Sequence, residues 1–433
     1  MDTIQLFIDQ LPDNVIHIDI SNKKLTVCPD LSRFKYLKEL DCSWNKLKSL
    51  PRFNDSLRIL NCSCNKLKSL PTLNDSLQKL YCNENQLTSM KTLNKSLQEL
   101  HCSHNQLTFL PVLNDSLQEL HCHHNQLTFL PTLNGSLQEL HCGLNHLTYL
   151  PVLNNGLKKL HCWSNQLTFL PTLNDELEEL YCYSNELTFL PTLNSGLKEL
   201  YCGSNQLKSL SGRICSQQEL KSLSGRICSQ QELDSLPTLN DELQQLSCHS
   251  NQLKFLPKLN KKLEYLYCNE NQLESLPELN NSLYTLYCDS NQLKFLPALN
   301  DDLQVLYCSS NQLETLPKLN DSLQELWCDS NQLEFLPELN EKLKELCCYS
   351  NPLVLLNSND DIPTLRQQIQ TLTRFKHLYF SLKFKTQFRR WLWELVREPK
   401  IALKYHPSYL AEHLVDGVEL DDILDEWIGN DDE

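Results

Sequence analysis

Hydrophobic and polar positions along this chain repeat every twenty residues. Residues 97–116 give the unit LxxLxCxxNxLxxLPxLNxx. Full copies begin at Leu37, Leu57, Leu77, Leu97, Leu117, Leu137, Leu157, Leu177 and Leu197, then at Leu243, Leu263, Leu283, Leu303, Leu323 and Leu343. A fixed period of this size signals a solenoid, in which each coil hides its apolar side only against its neighbours. Within one unit, the alternation Leu100-His101-Cys102 predicts a short strand with Leu100 and Cys102 inward and His101 outward. Leu97, Leu107, Leu110 and Leu113 point the remaining sides of the coil into the same interior. Asn105 turns the chain out of the strand, where its amide can both donate and accept. Pro111 keeps the return segment extended. Coils stacked about 4.8 Å apart then pair every strand in one parallel sheet.

Departures from the period divide the chain. Residues 1–14 read as an N-terminal helical cap, with an amphipathic helix over 3–10 built on Ile4, Leu6, Phe7 and Ile8 and closed by Pro12. Residues 15–356 hold the repeats, beginning with a degenerate one at 15–34 that carries Lys23 where the Asn belongs. Residues 208–220 and 221–233 are identical thirteen-residue copies. Each resembles a repeat without its return segment, and the pair predicts one irregular turn or an exposed loop. From 357 the period stops, and 357–433 read as a helical C-terminal cap or tail. Its first helix opens at Pro363 with Leu365, Ile369 and Leu372, and a second runs from Phe384 to Leu395 before Pro399.

The unit resembles the leucine-rich repeat, specifically the short bacterial-effector class LxxLxVxxNxLxxLPxLP. Cys replaces its Val, and Asn (Asn54, Asn74, Asn114) replaces its second Pro. The resemblance implies an arc with a continuous parallel sheet on the concave face, an extended or irregular convex side, and a protein partner. A related bacterial ubiquitin ligase adds a large domain with a catalytic Cys, but residues 349–433 contain no Cys. Residues 391–401 with 405–409 and the acidic tail are similar to C-terminal boxes in predicted proteins of giant DNA viruses.

Charge and cysteine usage narrow the function. The formal charge is −15 over 433 residues; 1–357 carry 29 basic and 40 acidic residues, and 358–433 carry 10 and 14. Such an acidic surface disfavours duplex DNA as a ligand. Fifteen of the twenty cysteines fall at the one inward repeat position, as buried reduced thiols would. Reduced thiols, with no signal peptide or transmembrane span in view, predict an intracellular, cytoplasmic protein.

The outward position before each ladder cysteine carries the candidate site. It reads Tyr81, His101, His121, His141, His161, Tyr181 and Tyr201, then, past Ser247, Tyr267, Tyr287, Tyr307 and Trp327. Rings with polar tips suit an interface, although stacked rings also stabilise a sheet. Glu99, Glu119, Glu139 and Glu179, with Asp289 and Asp329, form an acidic rim fitted to a basic, aliphatic partner. His104, His123 and His124 join the central histidines, and several imidazoles so placed are expected to titrate near neutrality. In-register imidazoles at strand spacing are not expected to converge, so no metal or other cofactor is expected. No phosphate loop or nucleophile elbow occurs, and the chain reads as non-catalytic. The alternative function is nucleic-acid binding through the basic, aromatic stretch 374–404. Residues 358–433 could also recruit a second partner.

Overall fold

A computed structural model describes residues 2–208, 239–354, 356–383 and 390. The inserted copies, apart from Lys208, and nearly all of the chain beyond Lys383 lie outside them. So do the second C-terminal helix, most of the basic stretch and the acidic tail. The chain divides into two compact units, Met1–Ile362 and Pro363–Glu433. In the first, helix α1 (Asp2–Gln10) precedes sixteen strands that form one parallel sheet in chain order, from β1 (His17–Asp19) to β16 (Glu345–Cys347). Ile8 of α1 is buried, and its carbonyl accepts the Arg33 guanidinium at 2.7 Å. Helix α2 (Ile362–Lys383) begins one residue before Pro363, where the helical pattern opens.

Each strand is three residues long because the unit supplies one buried leucine between two outward residues. In β6 (Glu119–His121), Leu120 is buried while Glu119 and His121 are half-buried on the opposite face. Pairing is in register: Glu119 lies beside Glu99 and Glu139, and His121 beside His101 and His141. The next residue is the ladder cysteine, whose N–H still bonds the following coil, as Cys102 N donates to His121 O at 2.8 Å. The ladder cysteines are buried and free. Burial pushes the Cys102 and Cys142 thiols up to about 12, so they stay protonated.

The inner asparagines close the bend. Asn125 Nδ2 donates to Cys102 O at 3.0 Å, Cys122 O at 3.1 Å and His123 O at 3.4 Å, and its Oδ1 accepts Leu107 N at 3.0 Å. The residue before each such Asn turns through the left-handed region, from Trp44 to Ser350, with φ between 49° and 56°. For a residue other than glycine this conformation costs about 1–2 kcal/mol. Bonds such as His104 N to His123 O at 3.0 Å offset it. The outer asparagines explain the departure from the second proline. Asn114 Nδ2 donates to Leu97 O at 2.8 Å, and Asn174 Nδ2 reaches both Leu157 O at 2.9 Å and Asn154 O at 2.8 Å. Proline has no such donor.

The insertion leaves the sheet intact. Strand β10 (Glu199–Tyr201) pairs directly with β11 (Gln245–Ser247), Leu200 opposite Leu246. Asn251 Oδ1 accepts Leu207 N at 2.9 Å, as its counterparts do across ordinary turns. Partners here are 46 residues apart where the others are twenty apart. The surplus equals the two thirteen-residue copies. Deleting 208–233 joins Leu207 to Asp234 and restores the repeat through Leu236, Pro237 and Asn240. Shortening the turn is expected to raise stability by roughly 0.5 kcal/mol, measured as the urea midpoint; a loss of stability would show that the segment packs on the solenoid.

Candidate functional site on the sheet face

Each predicted ring residue ends its strand, opposite the buried leucine, and all are half-buried. Tyr81 meets His101 edge to face at 4.8 Å. From there the rings lie nearly flat on one another: His101 on His121 at 3.9 Å, His121 on His141 and His141 on His161 at 4.1 Å, and His161 on Tyr181 at 4.0 Å. Tyr201 continues the column with a tilt. Ser247 interrupts it, and Tyr267, Tyr287, Tyr307 and Trp327 form a second run at 4.2–5.1 Å. Such contacts contribute about 0.5–1.5 kcal/mol each beyond their area. The rings therefore both support the sheet and present their edges to solvent.

Stacking corrects the expected titration. Burial against neighbouring rings, reinforced by the other imidazoles, pushes His121 and His123 down to about 4 and His141 down to about 2. His101 and His161 are also lowered, first by burial. The central imidazoles are neutral at physiological pH. His123 Nδ1 lies 2.8 Å from Ser103 Oγ, and His104 and His124 sit at the left-handed turn residues, 4.3 Å apart ring to ring. The Nε2 atoms of His101, His121 and His141 and Nε1 of Trp327 are buried without a hydrogen-bond partner. Each such atom costs about 1–3 kcal/mol.

The acidic rim is largely matched within the sheet rather than free. Lys79 Nζ lies 2.5 Å from Glu99, which also accepts Tyr81 Oη at 2.6 Å. Burial pushes the Glu99 carboxyl up, but Lys79 and Tyr81 outweigh it and hold the group low. Lys159 bridges Glu139 at 3.5 Å and Glu179 at 3.4 Å. Asp329 is buried and accepts Ser309 Oγ at 2.5 Å. Glu119 and Asp289 are exceptions, both pushed up first by burial and neither paired with a lysine or arginine among the described residues. Glu119 has only the neutral ring of His101 beside it, at 3.7 Å, and burial followed by Glu99 and Glu139 pushes its carboxyl up.

The stacked imidazoles do not converge on one point, but register brings possible ligand atoms close together. Ligand atoms of His101, Glu119 and His121 all lie within 4.8 Å of one another, as do those of His121, Glu139 and His141. Two further aromatic features escaped sequence reasoning. Trp163 and Tyr183 stack at 5.5 Å one residue after their cysteines, and Trp163 lies over Gly143, where a Cβ would come within 2.6 Å of the indole. Phe109, Phe129, Tyr149, Phe255 and Phe295 are exposed on the return side. Their signal in the chain is the recurring ring just before the Leu of each coil's outward turn, as in Phe109-Leu110-Pro111.

Solved structures share this architecture. YopM, a leucine-rich effector protein from Yersinia pestis, is 29% identical, with a TM-score of 0.67 over 77% of this chain and 89% of its own. YopM from Yersinia enterocolitica WA-314 is 29% identical, with a TM-score of 0.60 over 79% of each chain. The chain is a leucine-rich-repeat solenoid. InlJ from Listeria monocytogenes, whose functional domain includes a cysteine ladder, is 26% identical, with a TM-score of 0.60 over 74% of this chain and 69% of its own. No family profile and no curated protein matches this leucine-rich-repeat chain by sequence. Among its described residues no helix is long and apolar enough to cross a membrane.

Proposed function

We propose that this protein is a non-catalytic, intracellular scaffold or adaptor that holds a protein or peptide on the ring-lined face of its sheet. The carrying observation is the pair of half-buried aromatic columns, Tyr81 to Tyr201 and Tyr267 to Trp327. Rings fixed by their neighbours lose little side-chain freedom on binding, and Tyr, Trp and His edges combine apolar area with polar tips. The leucine-rich effector YopM supports an interaction role for a chain of this shape. The incompletely matched rim carboxylates Glu119 and Asp289 favour a partner with basic as well as aliphatic character. In this reading α1 covers the first coil, and residues 358–433 recruit a second partner.

Changing Tyr267, Tyr287 and Tyr307 together to Ala tests the surface. The expected result is a loss of affinity of about a hundredfold or more for the partner retained by wild type, since hot-spot truncations cost about 2 kcal/mol or more each. An unchanged partner set, with circular dichroism showing the solenoid intact, would rule out the ring column as the binding surface.

A further inference from the structure

We infer that His101, Glu119 and His121 form a binding site for a divalent late-transition ion of the zinc class, with His121, Glu139 and His141 as an overlapping second set. Two imidazoles and a carboxylate suit such ions, and three protein ligands leave one tetrahedral position for solvent or for a side chain of a partner. Ligand atoms within each set already lie within 4.8 Å of one another. Nε2 of His101, His121 and His141 are buried without a hydrogen-bond partner, and that of His101 faces Glu119 at 3.7 Å, so the tautomer protonated at Nδ1 would offer each Nε2 lone pair to an ion.

Charge singles out the first set. Glu99, Glu119 and Glu139 stand side by side on three adjacent strands, an arrangement that like-charge repulsion opposes. Lys79 matches Glu99 and Lys159 matches Glu139, but no lysine or arginine among the described residues pairs with Glu119. A cation bound there completes an alternation of charge along the row.

Geometry states what must move. Rings at 3.9 Å with 15° between their planes direct their lone pairs almost in parallel. Tetrahedral zinc with bonds of about 2.0–2.1 Å needs its nitrogens about 3.3 Å apart. Rotation about the soft terminal torsion of each imidazole opens the stack on one side and closes the nitrogens on the other. Because His121 belongs to both sets, a single ion occupies one set at a time.

The experiment is a calorimetric titration of Zn2+ into the full-length chain under a non-chelating phosphine reductant, for wild type and three variants. A parallel Co2+ titration is read by absorption, because thiolate ligation gives an intense near-ultraviolet band that imidazole and carboxylate do not. The expected result is one ion per chain, no thiolate band, and shifted His101 and His121 ring proton resonances on Zn2+ binding. Glu119→Gln is expected to weaken binding at least about tenfold, and His121→Ala to abolish it. His141→Ala removes a comparable stacking contact but leaves the Glu119 set whole, so it keeps the stoichiometry and most of the affinity. Wild-type binding by Glu119→Gln and His121→Ala, equal losses in all three variants, or a thiolate band at the first equivalent would each overturn the assignment.

Discussion

Replacing Asn125 by Ala is expected to lower the unfolding free energy by about 3–5 kcal/mol, because several buried backbone groups lose their partner at once. The amide bonds three carbonyls from two coils and receives Leu107 N. Alanine leaves these groups inside a bend that water does not reach. Asn125→Asp is expected to do no better, since a carboxylate accepts from Leu107 but cannot donate to the three carbonyls. Urea unfolding measures the effect, and a loss below about 1 kcal/mol would show that the column is not what closes the coil. Each coil bonds only its neighbours, so a defect at this depth is also expected to split the transition into two steps.

Leu140→Ala is the second large effect, an expected loss of about 3 kcal/mol, while Cys142→Ala, two residues on in the same coil, is expected to cost no more than about 1 kcal/mol. Both side chains are fully buried, but the thiol is smaller, protonated and free. The contrast separates two roles for the cysteine column. If Cys142→Ala proved the costlier change, the thiols would have to contribute bonding beyond that of a small apolar group.

The coil was legible in the chain because each of its residues has one job and repeats it fifteen times. Leu, Cys and Asn at fixed spacing specify strand, interior and bend, and the strands lie where Leu100-His101-Cys102 predicts. What the spacing cannot convey is side-chain conformation. His101, His121 and His141 sit at one repeat position, but that they lie flat on one another, at 3.9 Å and 4.1 Å, depends on rotamers chosen together. That choice half-buries them, lowers their pKa values and sets Nε2 of His101 beside Glu119. The expectation of titration near neutrality treated each imidazole as separately solvated. The run of Glu99, Glu119 and Glu139 between Lys79 and Lys159 was, by contrast, open to reading. Its meaning depends on the in-register pairing that sets these side chains next to one another.

The direct pairing of β10 with β11 bears on how such a molecule can grow. A duplicated stretch of chain has two fates, to become a new rung or to hang from an old one, and neither disturbs what lies on either side. The rung needs a side chain short enough to span two turns and able to give and take hydrogen bonds together. Asparagine meets both conditions; the thirteen-residue copies carry Gln218 and Gln231 at the corresponding place. Lengthening by copying is therefore tolerated between β10 and β11, where the strand pairing and the bond from Leu207 N to Asn251 Oδ1 are both kept.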